Sequence, residues 1–324
     1  MKKNLSIAAV VASMGLILSG CSSSDNESNA SGAVKVVAAM YPLEFVATAI
    51  GGDLVSVENF TPPGVEPHDL ELTPSQVVKL DDADLLLFIS GFQPALEEAA
   101  QQSAPANSLE LLSVDGLNLL TATEDGHGHG HDHGHDHGAE DKPAGEEAHS
   151  DEEMVNDPHV WLDPERLIVV AKAVASKLSE VNPENADAFE SNLAAFVTEL
   201  EALDAKFTTG LAACERDLIV TSHAAFGYLA DAYGLSQEAI AGLSPESEPT
   251  PKRLNEISKE AKADGTTTIF FETLASPKIA QTLADDLNIE AAVLDPIEGI
   301  SEGQTYFSIM ESNLEALRKA LNCK

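Results

Sequence analysis

Between Thr121 and Pro158 the chain offers almost nothing to bury, and this gap limits the fold more than any other feature of the sequence. It holds 12 acidic residues, one lysine and seven histidines. A stretch of that composition cannot offset the entropy of ordering itself, so residues 121–158 are expected to be disordered. The fold must then come from the blocks on either side. Before the gap, Val34 to Ala39 and Leu54 to Phe60 read as strands. The helical stretch between them, Pro42 to Gly51, has proline at its start and glycine at its end. Thr73-Pro74-Ser75-Gln76 is a helix start with Thr73 as cap. Asp84 to Ile89 follows as a buried strand and Pro94 to Gln102 as a helix.

After the gap, Pro164 to Leu178 is helical, and a second helix opens at Asn182-Pro183-Glu184 and runs to about Leu211. Its Phe189, Leu193, Phe196, Leu200 and Leu203 form one apolar stripe. The β–α rhythm then returns: strand Asp217 to Thr221, helix Ala224 to Tyr233 stopped by Gly234, and helix Pro251 to Ala263. Strand Thr267 to Phe271, helix Pro277 to Leu287, strand Ala291 to Leu294 and a last helix from about Thr305 to Leu321 complete it. Strands alternating with helices argue for an α/β fold of parallel sheets flanked by helices.

The start of the chain reads as an export signal. Lys2 and Lys3 precede an apolar stretch from Leu5 to Leu18, too short to span a bilayer stably. Leu18-Ser19-Gly20-Cys21 resembles a bacterial lipobox. That resemblance implies cleavage after residue 20 and a lipid on the Cys21 sulfur, with residues 21–33 as a flexible tether. The expected location is extracytoplasmic, anchored to the cell membrane. A net charge of −36 argues against nucleic acid as a partner, because phosphate binding needs a basic surface. In an oxidising compartment Cys214 and Cys323 can pair, or they can remain separate buried thiols.

The histidines carry the functional reading. Seven of the ten lie in the gap: His127, His129, His131, His133, His135, His137 and His149. The other three, His68, His159 and His223, sit in loops or at strand ends. In open α/β sheets, ligands bind beyond the carboxyl ends of the strands, and Asp295 fits that rule too. Three imidazoles and one carboxylate suit a borderline ion such as Zn²⁺. Three alternative functions share parts of this pattern. A catalytic zinc site also uses three protein ligands, but no HExxH is present. A metal-dependent surface adhesin would share the anchor and the acidity, and a manganese carrier would share the loops.

Four segments favour a carrier over the first two of these: Pro62-Pro63-Gly64-Val65-Glu66-Pro67-His68-Asp69, Asp157-Pro158-His159-Val160-Trp161-Leu162-Asp163-Pro164, Thr221-Ser222-His223-Ala224-Ala225-Phe226-Gly227-Tyr228-Leu229 and Leu294-Asp295-Pro296-Ile297-Glu298-Gly299. In that order they resemble the zinc/manganese solute-binding lipoproteins of ATP-driven importers. The resemblance implies two α/β lobes, residues 34–181 and 214–324, joined by a rigid linker helix over 182–213. It implies a metal in the cleft, held by His68 and His159 of the first lobe and His223 and Asp295 of the second. Glu298 or a water could take the place of Asp295. Glu66 and Glu272 are expected near the cleft, as partners of the ligands or as surface or capping carboxylates. Manganese-type members tend to have a carboxylate where His223 stands, so zinc is the expected ion. The run His127 to His137 resembles the family's histidine-rich loop and is expected to offer weak auxiliary sites. A membrane permease and an ATPase are the implied partners. The chain is expected to work as a monomer and not as an enzyme.

Overall fold

A computed structural model of the chain describes residues 32–103, 107–123 and 154–324. The expected export signal, Cys21 and the histidines at 127–137 and 149 lie outside the described residues.

The first sheet holds β1 (Val34–Ala38), β2 (Val55–Asn59), β3 (Leu85–Phe88) and β4 (Ser108–Glu110), in the order β2-β1-β3-β4. All its pairings are parallel, and Val36 lies between Val57 and Leu85. Leu85, Leu86 and Leu87 are all buried, because both faces of the sheet are covered. The covering helices are α1 (Tyr41–Gly51), α2 (Pro74–Asp81) and α3 (Pro94–Ser103). The start of α2 is a capping box in which Thr73 and Gln76 satisfy each other's backbone N–H groups.

The chain next makes a short antiparallel ladder, β5 (Thr121–Thr123) with β6 (Met154–Asn156). This corrects the expectation that 121–158 is disordered throughout. Both edges of that stretch are ordered, because Ala122 is buried, the two strands satisfy each other's backbone, and Asp157 is buried against His159.

Helix α4 (Pro164–Val181) leads through a single 3-10 turn at Pro183–Asn185 into α5 (Ala186–Leu211). At about 1.5 Å per residue, the 26 residues of α5 span roughly 39 Å. Its buried stripe runs through Phe189, Phe196, Leu200, Leu203, Phe207 and Leu211.

The second sheet holds β7 (Leu218–Thr221), β8 (Ser236–Ala239), β9 (Thr268–Phe271) and β10 (Glu290–Val293), in the order β10-β9-β7-β8, again all parallel. Helices α6 (Gly227–Tyr233), α7 (Pro251–Asp264), α8 (Lys278–Leu287) and α9 (Tyr306–Leu321) cover it. The edge strands β4 and β8 are not legible as strands in the sequence: their mixed polar composition has neither an apolar run nor strict alternation.

Helix α5 packs on α1 and α4 and also on α6 and α9, so it touches helices of both sheets. Residues 33–324 form one compact unit. Cys214, just after α5, and Cys323, just after α9, form a disulfide 109 residues apart in sequence. Closing a loop of that length is worth about 4–5 kcal/mol in the chain-entropy account. No helix among the described residues is long and apolar enough to cross a membrane.

Candidate metal centre

Three histidines and one glutamate from distant parts of the chain meet between the two sheets. His68 lies in the 3-10 turn Pro67–Asp69, on the loop that leaves β2. A chain of side-chain bonds holds that turn. Gln93 donates to Thr61 Oγ1 (2.9 Å) and to the Pro67 carbonyl (3.1 Å), and Thr61 donates to the Ala39 carbonyl (2.8 Å). Glu66 accepts from the His68 backbone N–H at 3.2 Å. The His68 ring rests on Phe92, with centroids 4.1 Å apart.

His159 follows β6 and is fully buried, with its ring 5.2 Å from that of Trp161. Its Nδ1 lies 2.7 Å from Asp157 Oδ1. His223 lies two residues beyond β7, and its Nδ1 is 2.8 Å from Glu272 Oε1 at the end of β9. Between β7 and β9 the second sheet changes winding direction, which is where α/β sheets open a ligand crevice.

Glu298 arrives from the loop after β10. Its Oε1 is 3.5 Å from His68 Nε2, 3.4 Å from His159 Nε2 and 3.3 Å from His223 Nε2. One ligand atom from each of the four residues lies within 4.8 Å of every other. Asp295, expected from the sequence as the fourth ligand, is not in this group. Its carboxylate accepts from the Ile297 backbone (2.8 Å) and the Thr273 hydroxyl (2.8 Å), which makes it the anchor of the loop that carries Glu298. Asn313 bonds the Asp295 backbone on both sides, and Trp161 donates to the Pro296 carbonyl at 2.7 Å. Ile297 then takes a left-handed φ of 60° while fully buried. A β-branched residue pays steric strain there, so the surrounding bonds must hold it.

The hydrogen-bond inventory shows what the cluster lacks. A carboxylate can only accept, so Nδ1 of His159 and of His223 carries the proton. Their Nε2 atoms, if neutral, are then acceptors, and they face a carboxylate oxygen that is also an acceptor. Nε2 of all three histidines and both oxygens of Glu298 are buried without a hydrogen-bond partner. Lone pairs converging out of water require a cation or protons among them.

The electrostatics agree. Burial opposes the charge on Glu298, but the three imidazoles outweigh it and hold the carboxyl well below its usual range. At His223, burial is outweighed by Glu272 and then Glu298, which hold the ring well above the usual histidine value. His159 is raised in the same way: burial is outweighed by Asp157 and then Glu298. His68, with no such carboxylate of its own, is lowered by burial. Glu66 is pushed up to about 8 by burial and by the nearby Glu298 charge, and its Oε2 is buried without a partner.

The edges that run from Glu298 to the three histidines suit a four-coordinate ion. With bonds of about 2.0–2.1 Å, the ligand atoms of a tetrahedron sit about 3.3–3.4 Å apart. The three separations around Glu298 Oε1, 3.3, 3.4 and 3.5 Å, bracket or adjoin that value. Asp157, not singled out from the sequence, is the carboxylate that aims His159. Its position two residues before a candidate ligand histidine is the signal that could have found it.

The α/β fold with a histidine-rich cluster between two parallel sheets defines a metal-ion-binding protein. Comparison with known proteins narrows this to one family. Residues 36–320 match the family described as the periplasmic zinc-uptake complex component A, and the chain belongs to that family. It is 33% identical to the high-affinity zinc uptake system protein ZnuA of Bacillus subtilis over 324 residues, covering 97% of each chain. It is 38% identical over 295 residues to the zinc-binding protein AdcA of Streptococcus pyogenes, spanning 89% of this chain but only 56% of that longer relative. Among solved structures, the Zn(II)-bound ZnuA-like domain of Streptococcus pneumoniae AdcA superposes with a TM-score of 0.69 at 31% identity, covering 90% of this chain and all of that one.

Proposed function

We propose that this chain is the extracytoplasmic zinc-capturing component of an ATP-driven metal importer, and that His68, His159, His223 and Glu298 hold one Zn²⁺ as cargo. The observation that carries the reading is the set of four buried ligand atoms, one from each residue, that converge without hydrogen-bond partners. The family and the names of the relatives support the same ion. Three nitrogens and one carboxylate oxygen favour zinc over manganese, which prefers oxygen-rich sites of higher coordination.

A carrier must bind and let go; it has no bond to break, so the reading includes no catalysis. Delivery would be to a membrane permease powered by a separate ATPase. The anchor would be a lipid on Cys21, and the histidines at 127–137 would gather ions weakly without forming the cargo site.

The test is competitive titration of Zn²⁺ and Mn²⁺ on the purified protein and on three variants, His68→Ala, His159→Ala and His223→Ala. Zinc should win in the parent protein, and each variant should lose tight binding. A variant that keeps parent-level zinc affinity removes its histidine from the site, and preference for manganese overturns the assignment of the ion.

A further inference from the structure

Two of the three clustered imidazoles are aimed by carboxylates. For His223 that carboxylate is Glu272, 49 residues away and just past the end of the neighbouring strand. For His159 it is Asp157, only two residues away in the chain. The placement of Asp157 is unusual in how many elements close on it.

Asp157 is 3% exposed. Its Oδ1 accepts from the His159 backbone N–H at 2.9 Å and faces His159 Nδ1 at 2.7 Å, so one oxygen fixes both the backbone and the ring. Its own N–H donates to the Leu120 carbonyl at 2.9 Å, continuing the β5–β6 ladder by one more bond. Its carbonyl accepts from the Tyr228 hydroxyl at 2.8 Å, and that hydroxyl accepts from the Leu120 N–H at 3.1 Å. Tyr228 lies on α6, which belongs to the second sheet. The preceding residue, Gly227, presses closest of all: a Cβ there would sit 2.7 Å from Asp157 Oδ2.

We infer that Asp157 is a positioning residue of the metal centre, held against His159 by the close approach of Gly227 and Tyr228. By accepting from Nδ1 it fixes the proton of the neutral ring there and turns the Nε2 lone pair toward Glu298. Without it, the Nε2–H tautomer competes and the ring is free to rotate. The absence of a side chain at Gly227 is what lets α6 approach without displacing the carboxylate. His223 lies only four residues before Gly227, so one short segment supplies a ligand of its own and braces the ligand of the other half. This inference rests on the zinc reading of the site.

The experiment uses the full chain, with zinc affinity measured against a chelator and Co²⁺ as a spectroscopic probe of ligand geometry. Asp157→Asn keeps the shape and the accepting oxygen but removes the charge. It should weaken zinc by about tenfold, and Asp157→Ala by about 10–100-fold, the range typical of groups that orient a metal ligand. In Asp157→Ala the visible Co²⁺ absorption should shift as well, which a purely structural loss would not cause in a folded protein. Gly227→Ala should weaken zinc in the same way. In the Gly227→Ala/Asp157→Ala double variant, the glycine substitution should add little, because the two act through one contact.

Unchanged zinc affinity and an unchanged Co²⁺ spectrum in folded Asp157→Ala overturn the inference, as does full additivity in the double variant. If Asp157→Ala does not fold, Asp157→Asn and Gly227→Ala decide the matter alone, and parent-level affinity in both overturns it. His159→Ala separates the two levels. Parent-level zinc binding there defeats the site itself, whereas loss there combined with no effect at Asp157 defeats only the positioning role.

Discussion

Two clusters of ionisable side chains lie between the halves of this protein, and they are built on opposite principles. One is the group of His68, His159, His223 and Glu298. The other centres on Arg166, whose guanidinium bonds Asp163 (2.7 Å), Asp231 (2.8 Å) and the carbonyls of Leu117 (2.9 Å) and Asn118 (3.3 Å). It also lies over the Tyr228 ring, 4.7 Å from the centroid. There, donors meet acceptors, and Asp163 at the same time caps α4 through the Glu165 N–H. In the histidine cluster, acceptors meet acceptors. The Arg166 cluster fastens the structure through donor–acceptor pairs, while in the histidine cluster buried acceptors face one another until a cation or protons come between them. Charge and burial alone would not separate them; the hydrogen-bond inventory does.

The sharpest way to break this contrast is substitution at each centre. Glu298→Ala should lower zinc affinity by more than about 100-fold, beyond the range seen for groups that merely orient ligands. Asp295→Asn should cost far less, because Asp295 touches the loop and not the cluster. Arg166→Met should leave zinc affinity within about threefold, because Arg166 touches none of the four clustered residues and meets them only indirectly, through the Tyr228 ring. Equal losses at Glu298 and Arg166, read by chelator competition, would erase the distinction.

Stability should show the reverse order. Arg166→Met removes the cation that bonds Asp163 and one charged partner of Asp231. Breaking a buried pair costs about 3–5 kcal/mol, and partial exposure of this one reduces the expected loss to roughly 2–3 kcal/mol. Glu298→Ala in the metal-free protein should cost less, because the burial that opposes its charge offsets part of what the three imidazoles contribute. Urea unfolding of both variants without metal tests the pair.

A third contrast is pH. His159 and His223 have raised values in the fold, so their contribution to metal-free stability is present below about 6.5 and is lost as pH rises through the folded values. Glu66, raised to about 8, has the same sign: the fold holds its proton more tightly, and stability falls between its usual value and about 8. His68, lowered by burial, and Glu298, held ionised, run the other way, the latter only in acid. Metal-free stability should therefore decline from about pH 6 to 8 while zinc affinity climbs, because binding releases the protons. Glu66→Gln should flatten part of the decline. Calorimetry in buffers of different ionisation enthalpy counts the released protons, and no release would contradict imidazole ligation.

The smallest effect is expected from removing residues 124–153 and joining β5 to β6 by a short turn. The tight site should keep its affinity within about twofold, while weak equivalents disappear. A deletion that began at Thr121 would remove β5 and with it the ladder bonded to Asp157, so the two deletions should differ.

Much of the fold was legible in the sequence because its signals are local. The Thr73 cap, Pro74 at the helix start, Gly234 as a helix stop and the apolar stripe of α5 each act within one or two turns of chain. The edge strands β4 and β8 were not legible, because they are recruited by a neighbour and not by a pattern of their own. The three folded histidines stood out because each interrupts the β–α rhythm at a loop or strand end. The acidic partners were legible only in part: Glu66, Glu272 and Glu298 were expected near the cleft, but Asp157 was not singled out. Asp295 and Glu298 are three residues apart, and sequence logic chose the one that ends the strand. Only the tertiary structure brings Glu298, and not Asp295, among the three imidazoles, through the left-handed turn at Ile297, a conformation that a β-branched residue avoids unless Asn313, Thr273 and Trp161 hold the loop around it. The same holds for Asp157: its residue type is written in the chain, but its task depends on Gly227 and Tyr228, some seventy residues on. Periodicity and capping are properties of neighbours along the chain, whereas convergence of lone pairs on one point is a property of space.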